Sequence, residues 1–465
     1  MREHMHPHSH ISREQHTRDF TVGSPWRLIV SFAMPIFISQ FFQQLYSVAD
    51  AFIVGRILGT EALAAVSSTG PIIHLTTSLV IGIAMGAGVV ISHAFGAGDS
   101  ERVSRAIHTD IAAGLAIGAV MTVVGVAFTA DIIRMIKVSD AIFPQSVEYF
   151  RVYFAGAIAV MLYNVCQSIM TSLGDSKRPL YYLIFSSFVN IALDLLFIGV
   201  LGWGVWSAAF ATIVSQAASV VLCFIHLCRK GEVFTVEFKK IRFYSGVTRE
   251  IMRLGMPSGI QNSVISIANV FVQAQINTFG TLATAAYGAY SKIEGFCFLP
   301  VASFTMALAT FISQNLGAGK HDRAKQGARV GIISCLSVAQ VIGILCYVFA
   351  PGFIALFDDN PGVIELGTMQ ARTVSLFLAL VAFSHVMAAI FRGAGKAIFP
   401  MVVMVSIWCV FRIIYIQFVM QNIGELMYVY MAYPITWAMS GVVYIIYYFK
   451  SDWVHGFDSA EKRAL

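Results

Sequence analysis

Asp50 stands inside "FFQQLYSVADAFIVGRILG", residues 41–59, a stretch otherwise suited to hydrocarbon. A carboxylate there costs about 3 kcal/mol on insertion scales. A second one, Asp194, sits in the equally apolar run 179–201. Asp50 lies fifteen residues past Pro35, and Asp194 lies fifteen past Pro179. If both runs enter the membrane from the same face, helical rise puts the two acids at one depth. Asn190 is one turn before Asp194, and Gln43 is two turns before Asp50, each pair on one helix face. The next run enters from the opposite face near Gly204, so Thr212 lies about 12 Å in, close to that level.

Two carboxylates, an amide and a hydroxyl at one level form an ion-handling set. Two buried carboxylates side by side are expected to hold a proton between them and to titrate as one unit. The same oxygens suit a hard cation such as sodium, and no other metal is expected. By the repeat described below, Asp50 corresponds to about Val272 and Asp194 to the neighbourhood of Arg412, so the acid pair exists in one half only. A packing need common to both halves would not produce that asymmetry.

Glu294 is a further acid in an apolar run. It either pairs with Lys292 or Arg412 or faces a cationic substrate. Tyr46, Tyr163, Tyr287, Tyr290 and Phe296 offer cation–π surface, and with Gln43 and Glu294 they are the candidate cavity wall. Pro35 removes a helical hydrogen bond, giving either a fixed bend or a hinge.

The elements that must position these residues are membrane helices. The 465 residues are 57% apolar and 12% charged, where a soluble domain carries about 25% charge. The mean hydropathy is +0.73. Bilayer-length apolar runs recur along the chain, and strand-period alternation is absent, which disfavours a barrel. Twelve spans are expected, near 26–56, 61–95, 104–130, 146–173, 179–201, 204–228, 255–279, 282–316, 326–350, 363–391, 397–421 and 425–450. Loops after the even spans hold Arg102, Arg105, Lys177, Arg178, the stretch Arg229 to Arg253, Lys320 to Arg329, Arg392 and Lys396. Loops after the odd spans hold Arg56, Arg134 and Lys137 together with Asp131, Asp140, Asp358, Asp359 and Glu425. By the positive-inside rule both termini are expected in the cytoplasm, in a cytoplasmic (inner) membrane.

The chain also repeats. "FGAGDSERVSRA" at 95 returns as "LGAGKHDRAKQG" at 316, "LGTEALAAV" at 58 as "FGTLATAAY" at 279, and "AMPIFISQ" at 33 as "GMPSGIQN" at 255. The offset stays near 221, and six spans separate the copies, so the halves share one orientation, a parallel repeat. The expected layout is an N-terminal tail 1–25, an N-lobe 26–228, a cytoplasmic linker 229–253, a C-lobe 254–450 and a tail 451–465.

Other classes fit poorly. The net charge of +6 follows the loop bias and calls for no nucleic acid. "GAGK" at 317 and 393 lacks the spacing and the Ser/Thr of a phosphate loop. Seven cysteines lie in or beside apolar runs without zinc or redox spacing. No nucleophile motif or soluble catalytic domain appears, so no enzyme and no cofactor are expected. The start lacks the pattern of a cleaved signal peptide, and "HMHPHSH" is expected to be a disordered tail rather than a metal site.

From residue 26 to 450 the chain resembles the multidrug and toxic compound extrusion (MATE) family. The resemblance rests on "MPIFISQFFQQLYSVADAFIVGRILG", the paired "GAG" loops, "SLGDSKRPL" with "NIALDLLFIGVLGWGVWSAAFAT", and "FRGAGKAIFP", in that order. It implies an all-α polytopic fold of two pseudo-symmetric six-helix lobes around a central cavity. It also implies antiport of organic, often cationic, compounds against protons or sodium. The family's N-lobe cation site falls on Asp50, Asn190, Asp194 and Thr212. The branch that places acids in spans 7 and 10 is not matched, since span 7 has none and span 10 has only Glu365 near its outer end. A single chain acting on small molecules in the bilayer is expected. A flippase for a lipid-linked precursor is the alternative, and it calls for several cavity cations where Arg412 and Lys292 are few.

Overall fold

The computed structural model describes residues 19–136, 138–229 and 235–457, and these are helices joined by turns, without a strand. The histidine-rich start, Lys137, part of the linker and the last residues lie outside the described residues. Among the described residues nine helices are long and apolar enough to cross a bilayer. They are α1 (Pro25–Leu58), α2 (Thr60–Gly96), α3 (Ser100–Ala127), α5 (Lys177–Val200), α6 (Trp206–Leu227), α8 (Thr281–Gly317), α9 (His321–Ala355), α11 (Ile398–Asn422) and α12 (Leu426–Lys450). Two more spans are bent. α4 joins Phe143–Ala155 to Ala157–Ser172 at 50°, and α10 joins Pro361–Ser375 to Leu378–Gly393 at 51°. The twelfth, α7 (Ser245–Asn277), is as long as the others. Its Gln261, Asn262, Gln273 and Gln275 keep it below the apolarity of the rest, and it is sheltered by packing along α2.

Local signals account for the ends. Asp99 caps α3 by accepting from the Arg102 amide at 2.9 Å, and Asn360 caps α10 by accepting from Gly362 N at 2.9 Å. The sequence repeat reappears in the backbone. Eight of the nine left-handed glycines among the described residues fall in pairs about 221 residues apart, at 59 and 280, 98 and 319, 174 and 395, and 202 and 424. These are the turns where only glycine reverses the chain without a side-chain clash.

The halves meet at the end that carries most Lys and Arg. There α2 lies backbone to backbone on α7. A Cβ on Gly82 would sit 2.1 Å from Gly259 N, and one on Gly86 would sit 2.3 Å from Gly255 N. The contact is reciprocal further along, with Gly96 against Gln314 O and Gly317 against His93 O. Ser313 Oγ donates to Val89 O at 2.7 Å, and Gln314 Nε2 to Ser172 O at 2.9 Å, both across the halves. The core clusters cross too. Phe20, Ile29, Phe32 and Ile36 pack in the C-terminal half's core, while Ile251 and Leu254 of α7 pack in the N-terminal half's. Phe20 has no exposed surface, and its carbonyl accepts from Asn315 Nδ2 at 3.2 Å and from Arg323 Nε at 3.1 Å. At the other terminus the Phe457 ring stacks on His93 with centroids 3.9 Å apart. Each end of the described chain is therefore clamped across the seam.

Candidate functional site

α1 carries Gln43, Tyr46 and Asp50 at spacings of three and four, one face of a helix. α5 carries Asn190 and Asp194 four apart, and α6 carries Thr212 and Gln216 four apart. α1 packs along α5, and α5 along α6. The structure brings the two acids together, with the Asp50 and Asp194 carboxylates within hydrogen-bonding reach of each other. Asp194 has no exposed surface and Asn190 has 1%. Asn190 Nδ2 donates to Thr212 Oγ1 at 3.4 Å, and Thr212 Oγ1 donates to Ala208 O at 3.1 Å.

Four buried oxygens at this point lack a donor among the described residues. They are both oxygens of Asp194, Oδ1 of Asp50 and Oδ1 of Asn190. Two carboxylates are both acceptors, so their contact becomes a hydrogen bond only when one holds a proton. A small hard cation would satisfy the same four oxygens. Groups of three or more His, Cys, Asp or Glu side chains with metal-site geometry are absent among the described residues.

Both acid-bearing helices widen just beyond the acids. α1 ends in a π-helical turn, Val54–Leu58, and α5 in another, Leu195–Val200, and the two turns touch. Such turns interrupt the regular helical hydrogen-bond ladder and recur at functional sites. The remaining neighbours are aromatic. Tyr46 adjoins Asp50, Gln43 and Gln216, and Tyr149, on the first segment of α4, packs with Ile53, Val54 and Ile198 beside the two π-helical turns.

Tyr163 is 3% exposed and packs with Leu183 and Val220, inside the helix bundle rather than on a cavity wall. The first segment of α4 meets the second at a bend, and spacing alone could not say which tyrosines would turn to the π-helical turns. Gln216 was within reach of the heptad logic, one turn past Thr212. Gln43 is exposed, and α1 runs unbroken through Pro35, whose carbonyl accepts from Ser39 Oγ at 2.9 Å.

In the C-terminal half, Lys292 is exposed with its Nζ 5.4 Å over the Phe357 ring. It therefore does not pair with Glu294. Glu294 and Tyr287 stand half-buried on α8 near Arg412, which is 1% exposed. The Tyr287 and Tyr433 hydroxyls lie 3.5 Å apart.

The MatE family profile matches residues 35–196 and 257–416. The chain is 30% identical over 436 residues to the probable multidrug resistance protein YoeA of Bacillus subtilis (strain 168), covering 91% of this chain and 94% of that one. It is 25% identical over 343 residues to a protein named FAD transporter from Shewanella oneidensis, covering 73% and 76%. A solved structure, an outward-facing conformation of a multidrug resistance MATE family transporter, superposes with TM-score 0.88 at 23% identity, over 93% of this chain and 98% of that one. The two-lobe, all-helical fold follows from this superposition and from the helices described above.

Proposed function

The chain belongs to the MatE family of multidrug efflux transporters, and from that premise we propose that it is a secondary active antiporter. It exports organic, often cationic, compounds in exchange for a proton or sodium ion held by Asp50, Asn190, Asp194 and Thr212. Relatives named for multidrug resistance and for FAD transport support a small organic cargo. What carries the reading is the buried contact of two acids whose oxygens have no donor of their own. Burying such a pair is costly unless an ion occupies it for part of a cycle.

The Lys/Arg bias supports a cytoplasmic location for both termini. The closed glycine seam is then the cytoplasmic gate, closed as in an outward-facing transporter. An ion arriving from outside would settle at the acids and disfavour bound cargo, and cargo arriving from inside would displace the ion. Coupling follows because the two bind opposite-facing states with different affinity. One chain carries both halves and the whole site, so a monomer suffices.

Purified protein in proteoliposomes with separately imposed proton and sodium gradients tests this. Wild type should export ethidium under one of them. Asp50→Asn and Asp194→Asn should each cut gradient-driven export about tenfold or more, the size of a typical coupling free energy. Export by wild type that ignores both gradients, or a fully coupled Asp50→Asn, overturns the proposal.

A further inference from the structure

The first segment of α10 carries two charges on its outer flank that ion coupling leaves unused. Glu365 and Arg372 are seven residues apart, two turns along one helix face, and both are exposed. The surface around them is apolar. Val348 and Phe349 of α9 and Leu376 and Phe377 at the α10 bend are exposed large hydrophobics, the kind of surface that faces hydrocarbon. Arg372 lies about 16 Å along the helix from its start at Pro361. A cation facing lipid at that depth is costly unless its head reaches the interface or an anion comes to it.

The structure gives Arg372 little of either. Its guanidinium lies over the Tyr347 ring at 5.5 Å. Among the described residues neither it nor Glu365 has an ion-pair partner or a side-chain hydrogen bond. Between the two lies a groove of about 500 Å³, with Pro351 of α9 and Ile364 and Met369 of α10 as its apolar wall. Thr368 also lines it, and its buried Oγ1 has no hydrogen-bond partner among the described residues. Helical side chains lean toward the helix N-terminus. The Arg372 fork therefore rises toward Thr368, and the Glu365 carboxylate stands above both. Asp359 is exposed in the turn above them and makes that rim more acidic. The charges run in order from the bilayer outward: a guanidinium, a hydroxyl, then carboxylates.

We infer that this groove binds one molecule of phosphatidylethanolamine, its phosphate on Arg372 and Thr368 and its ammonium on Glu365. A phosphate suits the arginine fork because two of its oxygens are met at once. An anionic head without an amine would satisfy Arg372 but would face the Glu365 carboxylate. In the orientation argued above, the lipid belongs to the outer leaflet. It is a ligand of the protein's flank and not cargo, and it ties α9 to the first segment of α10 beside the 51° bend.

Native mass spectrometry of the delipidated full-length protein, reading the first lipid bound, tests the site. Wild type should bind dioleoyl-phosphatidylethanolamine about tenfold tighter than dioleoyl-phosphatidylglycerol, the worth of one charge-assisted hydrogen bond. Glu365→Gln should bring that ratio near one. Arg372→Gln should weaken both lipids about tenfold, and Arg372→Lys should keep part of the binding as a point charge. Both side chains stand outside the packed core, so the melting temperature without added lipid should match wild type in all three variants. A ratio near one in wild type, a preference that survives Glu365→Gln, or undiminished binding by Arg372→Gln overturns the inference. So does displacement of the lipid by an equal concentration of glycerophosphoethanolamine, which would make the groove a site for a soluble phosphate. None of these readings involves an ion gradient, so this site and the antiport proposal stand or fall separately.

Discussion

At the scale of single residues, the four groups on α1, α5 and α6 were legible because helical rise turns sequence number into depth. Asp50 and Asp194 could be matched without knowing how the helices pack. The tyrosines around them could not, because α4 bends at Gly156, where a Cβ would meet Ile213 at 2.3 Å. The likeness of depth also says nothing of which side chains saturate one another. Thr212 shows the point. Its contact with Asn190 is long at 3.4 Å, so it contributes less than about 1 kcal/mol to stability. Thr212→Val should therefore change the melting temperature little while lowering ion-driven export severalfold. A large melting shift that accompanies the export loss would make Thr212 a packing group instead.

At the scale of elements, the glycines of "GIAMGAGVV" were readable as a close-contact signal, but not their partner. The structure gives it as α7, and the twofold relation between the halves makes the comparison instructive. The counterpart seam joins α1 to α8, where Ala33 and Phe37 stand in the places of Gly255 and Gly259, and Ser303 and Ala307 in those of Gly82 and Gly86. Side chains there hold the helices further apart, so α1 is the looser of the two leading helices, and the most apolar window of α1 is only 28% buried. Pro35 sits in this looser helix, which is where bending meets the least resistance. Gly82→Ala should force α2 from α7, at a cost of about 1–3 kcal/mol for overpacking in a tight contact. Thermal unfolding in detergent reads it, and a wild-type melting temperature would mean the seam is not closed in solution.

At the scale of the whole molecule, the repeat was legible from short motifs and its offset recurs in the left-handed glycines. The crossing of the two cores was not, since it depends on where the ends of the chain dock. Phe20 and the start of α1 belong to one half by sequence and to the other by packing. The orientation is checked by labelling. Asp359→Cys and Lys239→Cys lie on exposed turns at opposite ends, and in a cysteine-free background an impermeant thiol reagent should modify the first in intact cells and the second only after lysis. The reverse pattern would invert the topology and, with it, the direction of transport.

The glycine seam has an electrical side. Backbone pressed on backbone leaves no crevice for a file of water molecules. In the orientation proposed, the resting voltage then falls across that short septum, at about 2.3 kcal/mol per elementary charge for each 100 mV. An ion reaching the acids through the open side would arrive at nearly the external potential. The voltage would act instead on the step that swings the loaded acids inward, so hyperpolarisation would quicken turnover and leave the ion's apparent affinity almost untouched.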